Sequence, residues 1–374
     1  MILTTLKPPE MKTLSYNIII LFFFPLILMS NTHEKLRGKY TKEKTLKKEF
    51  TVDKNAVLKI SNDYGNLDIT SWNENKIVID VSIKVSGDSE NSVIKKLESI
   101  NVDFSASPQS VYAKTTFSKG DMSWWEKWTR SWNGKLNMEI NYTVKVPITN
   151  HVELDNDYGS ITLDKTQGNT KINCDYGQII LGELLSDENY INIDYTNNSS
   201  IAYLKSGKIN ADYSDFEIEN SDQIDLNADY TESKFKNIKY LNYNCDYGGL
   251  KIENGGKIIG DSDYVDTKIG NISKELSVNS DYGSITINQL QPAFESINIK
   301  TDYTSVIIGY ETECSFNFSI KASYGGIKLD ESILVNKKYV KDNKKDYQGY
   351  YGQSESPSNI NISASYGGIK LRKN

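Results

Sequence analysis

A tyrosine returns along this chain at a nearly fixed interval, and few folds can absorb such a beat. It stands at Tyr158, Tyr176, Tyr195, Tyr213, Tyr230, Tyr247, Tyr264, Tyr282, Tyr303, Tyr324 and Tyr366, with an outlying copy at Tyr64. Aspartate precedes each one except Tyr324 and Tyr366, where serine stands. The steps from Tyr158 run 18, 19, 18, 17, 17, 17, 18, 21, 21 and 42, and the last is two periods across an insertion. A fixed period of this length marks stacked supersecondary units, none of which can bury its own apolar face alone.

Alignment on the tyrosine exposes the unit. Four residues earlier the chain carries large apolar residues such as Leu154, Ile172, Ile191, Ile209 and Ile299, with Gly260 the exception. Two residues earlier the side chain is small, as at Cys174, Ala211, Ala228, Cys245 and Ser280. Apolar pairs follow at +3 and +5, for example Ile161/Leu163, Phe216/Ile218 and Ile285/Ile287. Period two means β-strand. Positions −4, −2 and 0 share a face while +3 and +5 are out of phase, which predicts a kink just after the tyrosine, at Gly65, Gly159, Gly177, Gly248, Gly283, Gly325 and Gly367. The same parity predicts an inward ladder of tyrosine rings.

The predicted fold is all-β: a parallel β-solenoid over 151–374, with an amino-terminal β cap over 51–150. Eleven coils in register would make a rod on the order of 50 Å long, right-handed by the crossover rule. The cap shows strand alternation without the period, as in Ile77–Val85 and Met138–Pro147, and a short helix is predicted over residues 89–100.

The ends of the chain and two interruptions complete the organisation. Residues 1–32 read as a signal peptide, with Lys7 and Lys12 before the apolar run Ile18–Met29, and no stable membrane span is expected after its cleavage. Residues 33–50 are Lys-rich and predict a solvated lead-in. Trp124, Trp125, Trp128 and Trp132 form a cluster that suits a ligand platform, a membrane-interface foot or a seal on the open end of the rod. Residues 331–359 interrupt two matching coils and predict a projecting loop, whose Lys344, Lys345, Tyr347, Tyr350 and Tyr351 are candidate ligand contacts.

Composition excludes several function classes. Net charge is −6, so there is no basic footprint for nucleic acid. The two histidines, His33 and His151, leave little for a triad or a zinc site. Acidic residues recur with the repeat instead of gathering at one place, so no catalytic residue, metal or cofactor is expected. The aspartates before the tyrosines form a column, for which hydrogen bonds from the following corner in the manner of Asx turns are the preferred explanation and binding of divalent cations along the column the alternative. Cys174, Cys245 and Cys314 are expected to be buried free thiols, Cys174 and Cys245 lying four coils apart.

The run Asn141–Pro147 leading into Val152–Gly159, the Asp-Tyr-Gly coils, Tyr347–Gly352 and the final Ile360–Leu371 resemble the bacterial "putative adhesin" β-solenoid family. That resemblance spans roughly residues 45–374 and implies a right-handed single-stranded β-helix in an exported cell-envelope protein, with no catalytic residues to transfer. The expected function is a non-catalytic adhesin-like or structural role in the periplasm, on the outer membrane surface or outside the cell. Its partner would be an envelope or cell-surface protein or glycan. The runner-up is a carbohydrate-binding or envelope-sensing module using the tryptophan segment or the 331–359 loop.

Overall fold

The computed structural model describes residues 38–118, 136–292 and 294–374. These residues form one large, mostly parallel sheet with a single short helix. The signal segment and the four clustered tryptophans lie outside the described residues.

The amino-terminal region runs β1 (Tyr40–Thr51), β2 (Val57–Asp63), β3 (Leu67–Trp72), β4 (Lys76–Gly87), α1 (Glu90–Ser99), β5 (Ile100–Ser107), β6 (Ser110–Phe117) and β7 (Asn137–Pro147). Ser89 caps α1, accepting from the Ser92 N–H, and Val93 and Leu97 bury one helical stripe. The lead-in expectation needs correction. From Tyr40 onward it is an edge strand that pairs antiparallel with β4 over its whole length, because Tyr40, Leu46 and Phe50 supply one side that packs on the core.

β2 and β3 are the outlying copy around Tyr64, and they pair in parallel with β8 (His151–Asp157) and β9 (Ser160–Thr166). From there equivalent residues lie side by side. β8 pairs with β10 (Thr170–Asp175), which pairs with β12 (Asn189–Asp194), while β9 pairs with β11 (Gln178–Leu184). The turns between coils then become continuous strand in β13 (Ser199–Asp212) and β14 (Asp215–Asp229), and the tyrosine corners do so too in β15 (Glu232–Leu290) and β16 (Ser296–Tyr310). Register is strict: Ile209 lies beside Leu226, and Leu226 beside Tyr243. The −4 and +3/+5 residues fill one continuous core. Gly260 is explained by its neighbour: a Cβ there would meet Tyr243 Cε1 at 2.3 Å, so the large inward ring of one coil requires the absent side chain of the next.

The carboxy-terminal coils depart from chain order. β17 (Phe316–Ser323) and β18 (Ile327–Lys328) precede the insertion, which folds as a hairpin of β19 (Leu334–Lys341) and β20 (Lys344–Tyr351). β21 (Asn359–Ser365) and β22 (Ile369–Lys373) then slot between the two preceding coils, β21 pairing with both β16 and β17. The insertion therefore does not simply project. β20 pairs antiparallel with the free edge of β17 and extends the sheet, because a strand edge left open there would carry unpaired backbone groups.

Candidate functional site

The tyrosines do not face inward. All twelve have positive φ, between 49° and 66°, and eleven of them, from Tyr158 onward, are 44% to 60% exposed. The corner is the tyrosine itself, whose left-handed backbone reverses the parity carried by the preceding strand and turns the ring out to solvent. Glycine after it serves a close approach: a Cβ at Gly177 would lie 2.0 Å from the Gly159 carbonyl oxygen of the neighbouring coil.

The rings stack face to face in one ladder, with centroids 4.6 to 5.3 Å apart and planes within 7° of parallel. Its order repeats that of the coils: Tyr303 stacks on Tyr366, and Tyr366 on Tyr324. Stacking consumes the ring faces, so solvent meets a row of ring edges and phenol groups. Burial, then neighbouring phenols and aspartates, pushes the Tyr213, Tyr247 and Tyr282 hydroxyls upward, which keeps them protonated as donors.

Beside the ladder runs the aspartate column. The expected Asx bonds are replaced by backbone pairing, since the corner N–H of Tyr158 donates to the Asp175 carbonyl at 2.9 Å and that of Tyr176 to the Asp194 carbonyl at 3.0 Å. Tyr195, Tyr213 and Tyr230 repeat the pattern with Asp212, Asp229 and Asp246. Partial burial, helped by neighbouring carboxylates, raises Asp175, Asp194, Asp212 and Asp263, and pushes Asp157 up to about 6. The column thus holds protons more tightly than isolated aspartates do.

A second repeated surface escaped the tyrosine alignment. Asn237, Asn254 and Asn271 each donate an amide N–H to the asparagine one coil before, at 3.0, 3.0 and 2.7 Å, starting from Asn220, and Gln291 continues the ladder at 3.2 Å. The signal was present, since each asparagine stands seven residues after a ladder tyrosine. These amides line a groove of about 860 Å³ together with Tyr203 and Lys239.

The candidate contacts in the insertion fall in unlike places. Tyr351 is buried, its ring tilted against those of Tyr310 and Phe316, and its hydroxyl donates to the Thr312 carbonyl at 3.1 Å, so it plugs the end of the core. Lys345 donates to the Gly325 carbonyl at 2.7 Å, and Lys338 covers the Tyr347 ring at 5.1 Å. Lys344 is exposed, while Tyr350 is half-buried opposite Asn317. Cys174, Cys245 and Cys314 are free and buried. Among the described residues, no helix is long and apolar enough to cross a membrane, and no group of three or more His, Cys, Asp or Glu side chains is placed to hold a metal ion.

No protein-family model matches the chain. No curated protein matches it either. Among solved structures, it is similar to a "putative cell adhesion protein" of Clostridium sporogenes at 13% identity, covering 90% of this chain and 100% of that one, with a TM-score of 0.19. A "putative adhesin" of Parabacteroides distasonis aligns at 8% identity over 90% of this chain and 98% of that one, with a TM-score of 0.26. One from Bacteroides fragilis aligns at 10% identity over 88% and 97%, with a TM-score of 0.18.

Proposed function

We propose that the chain is an exported, non-catalytic envelope protein of adhesin-like character, whose in-register stack is a right-handed β-solenoid rod and whose tyrosine ladder is its contact surface. The observation that carries this reading is the exposed ladder of left-handed tyrosines. A left-handed L-residue costs roughly 1–2 kcal/mol, and each stacked pair returns about 0.5–1.5 kcal/mol. These nearly cancel, so stability alone gives no reason to prefer tyrosine to glycine or asparagine, which hold such a corner cheaply. Rings of about 200 Å² each, half exposed, leave on the order of 1,000 Å² of aromatic strip, above what a surface without a partner usually shows. A straight row of edge-on rings and donors suits an extended repetitive partner, a surface polymer or protein of the envelope, more than a small molecule. The hairpin residues Lys344, Tyr347 and Tyr350 would extend the contact at one end.

The test is binding to intact cells and to purified envelope polysaccharide by the full chain and by the triple variant Tyr213→Asn, Tyr230→Asn, Tyr247→Asn. Asparagine keeps the corner, so melting should stay close to that of the parent while binding falls by about tenfold or more. Undiminished binding by a folded triple variant overturns the ladder as the contact surface.

A further inference from the structure

The asparagine groove is a second repeated surface, apart from the tyrosine ladder. It has a volume of about 860 Å³ and follows one column of the stack, in which Tyr203 lies beside Asn220 and Asn220 beside Asn237. Asn254 and Asn271 continue the column, and Gln291 ends it by donating to Asn271 at 3.2 Å. We infer that this groove binds a neutral, linear oligosaccharide laid along the stack, with its hydroxyls on the amide row and one terminal ring against Tyr203.

The amides supply acceptors at a fixed spacing. Each amide oxygen has two lone pairs, and the ladder uses one, so a second is left on each of Asn220, Asn237, Asn254 and Asn271. The amide nitrogens are more committed, since those of Asn237 and Asn254 also approach the main-chain carbonyls of Glu219 and Lys236 at 3.4 and 3.5 Å. The row therefore asks for a ligand that donates, which a hydroxyl does and a carboxylate or phosphate does not. Coils about 4.8 Å apart spread the row over about 19 Å from Asn220 to Gln291. An extended pyranose chain advances by a similar length per ring and brings an equivalent set of hydroxyls each time. A peptide strand fits worse, because its N–H groups on one edge recur about every 6.8 Å and fall out of step within two coils.

Charge and shape narrow the class further. Lys239 pairs with Asp222 at 2.8 Å, and Lys274 lies near Glu275, so the walls are close to neutral and form no anion clamp. Asp222 also holds the Tyr203 hydroxyl, which fixes that ring at the end of the amide row, where the apolar face of a sugar can pack on it. Next to Asn254 the wall falls away to Gly255 and Gly256, which leaves room for a ring. Ser221 also lines the groove, is 4% exposed, and has a hydroxyl without a hydrogen-bond partner. An unpaired buried hydroxyl is costly, and a ligand hydroxyl or the water it brings supplies the missing partner.

The experiment is titration of the full chain with linear oligosaccharides of glucose, N-acetylglucosamine, xylose and mannose, two to eight units long, with oligogalacturonate as the acidic control. At least one neutral series should bind, with affinity climbing up to about four units, the length of the row, and then levelling off. Affinity should be the same at low and high salt. Asn237→Leu with Asn254→Leu should weaken binding by about tenfold or more, and so should Tyr203→Ala, which leaves the amide ladder intact and serves if the leucine variant does not fold. The triple variant Tyr213→Asn, Tyr230→Asn, Tyr247→Asn should bind oligosaccharide as the parent does, so the groove and the tyrosine ladder stand or fall separately. No binding of any neutral series, binding confined to oligogalacturonate and lost in salt, or affinity unchanged in a folded Tyr203→Ala variant overturns the inference.

Discussion

The stack from Val152 to Leu290 and the region from Tyr40 to Pro147 bury similar apolar side chains by opposite means. In the stack the ladder contacts have copies one period away: ring on ring, amide on amide, isoleucine beside isoleucine. In the amino-terminal region the contacts are single and distant in sequence. Buried Asn62 donates to Asn156 at 3.0 Å and to the Ile140 carbonyl at 3.1 Å, and accepts from Thr115, whose hydroxyl also meets Tyr142 at 2.8 Å. A repeated contact can lose one member while its neighbours hold register, whereas a unique network loses its function with any member.

Four measurements would break or sharpen that contrast. Asn62→Ala should have the largest effect, a loss of about 3 kcal/mol or more in denaturant unfolding, because it leaves the buried Asn156 Oδ1 and Ile140 carbonyl without their donor at about 1–3 kcal/mol each and opens a cavity beside them. Gly260→Ala should cost about 1–3 kcal/mol, since the new Cβ must displace the Tyr243 ring in a filled core. It would show that the stack too has sites without redundancy where large and small residues interlock. An effect of Asn62→Ala no larger than that of a ladder substitution would remove the distinction.

The third concerns acidity. Asp157, Asp175, Asp194, Asp212 and Asp263 are raised in the folded chain, so they bind protons more tightly folded than unfolded. Their contribution is fully present below the unfolded value of about 3.8 and is lost as pH rises through the folded values, about 6 for Asp157. Melting temperature should therefore rise as pH is lowered from about 7 toward 5, and Asp157→Asn should flatten the response. Asp222, Asp330 and Glu275, lowered first by hydrogen bonds to Lys239, Ser332 and Lys257, oppose this only at lower pH. The smallest effect is expected of Tyr213→Asn, within about 1 kcal/mol of the parent, since lost stacking is offset by relief at the corner. A loss several times larger would mean that the ladder is a structural spine.

The period, the strand phases around the tyrosine and the helix after Ser89 were legible because each rests on spacing along one strand or turn. The orientation of the tyrosines was not. Parity extends only while each residue is extended, and a residue in the left-handed region breaks it without any mark on the side-chain pattern. The asparagine ladder was legible in principle at seven residues past the tyrosine, but one polar type between apolar positions carries no hydrophobic contrast. The strand from Tyr40 was hidden by its lysines, which cover an edge whose pairing depends on β4 and not on its own polarity.

Alone, the sequence determined that these coils stack, because one unit has too little apolar surface to fold by itself and identical units offer each other matching faces. It did not determine their order at the carboxy terminus, where Asn317–Ser323 and Asn359–Ser365 read almost alike and either could lie beside β16. The tertiary structure decided that order. β20 occupies one edge of β17, so the last coil must take the other, between β17 and β16, because every buried strand edge needs a partner.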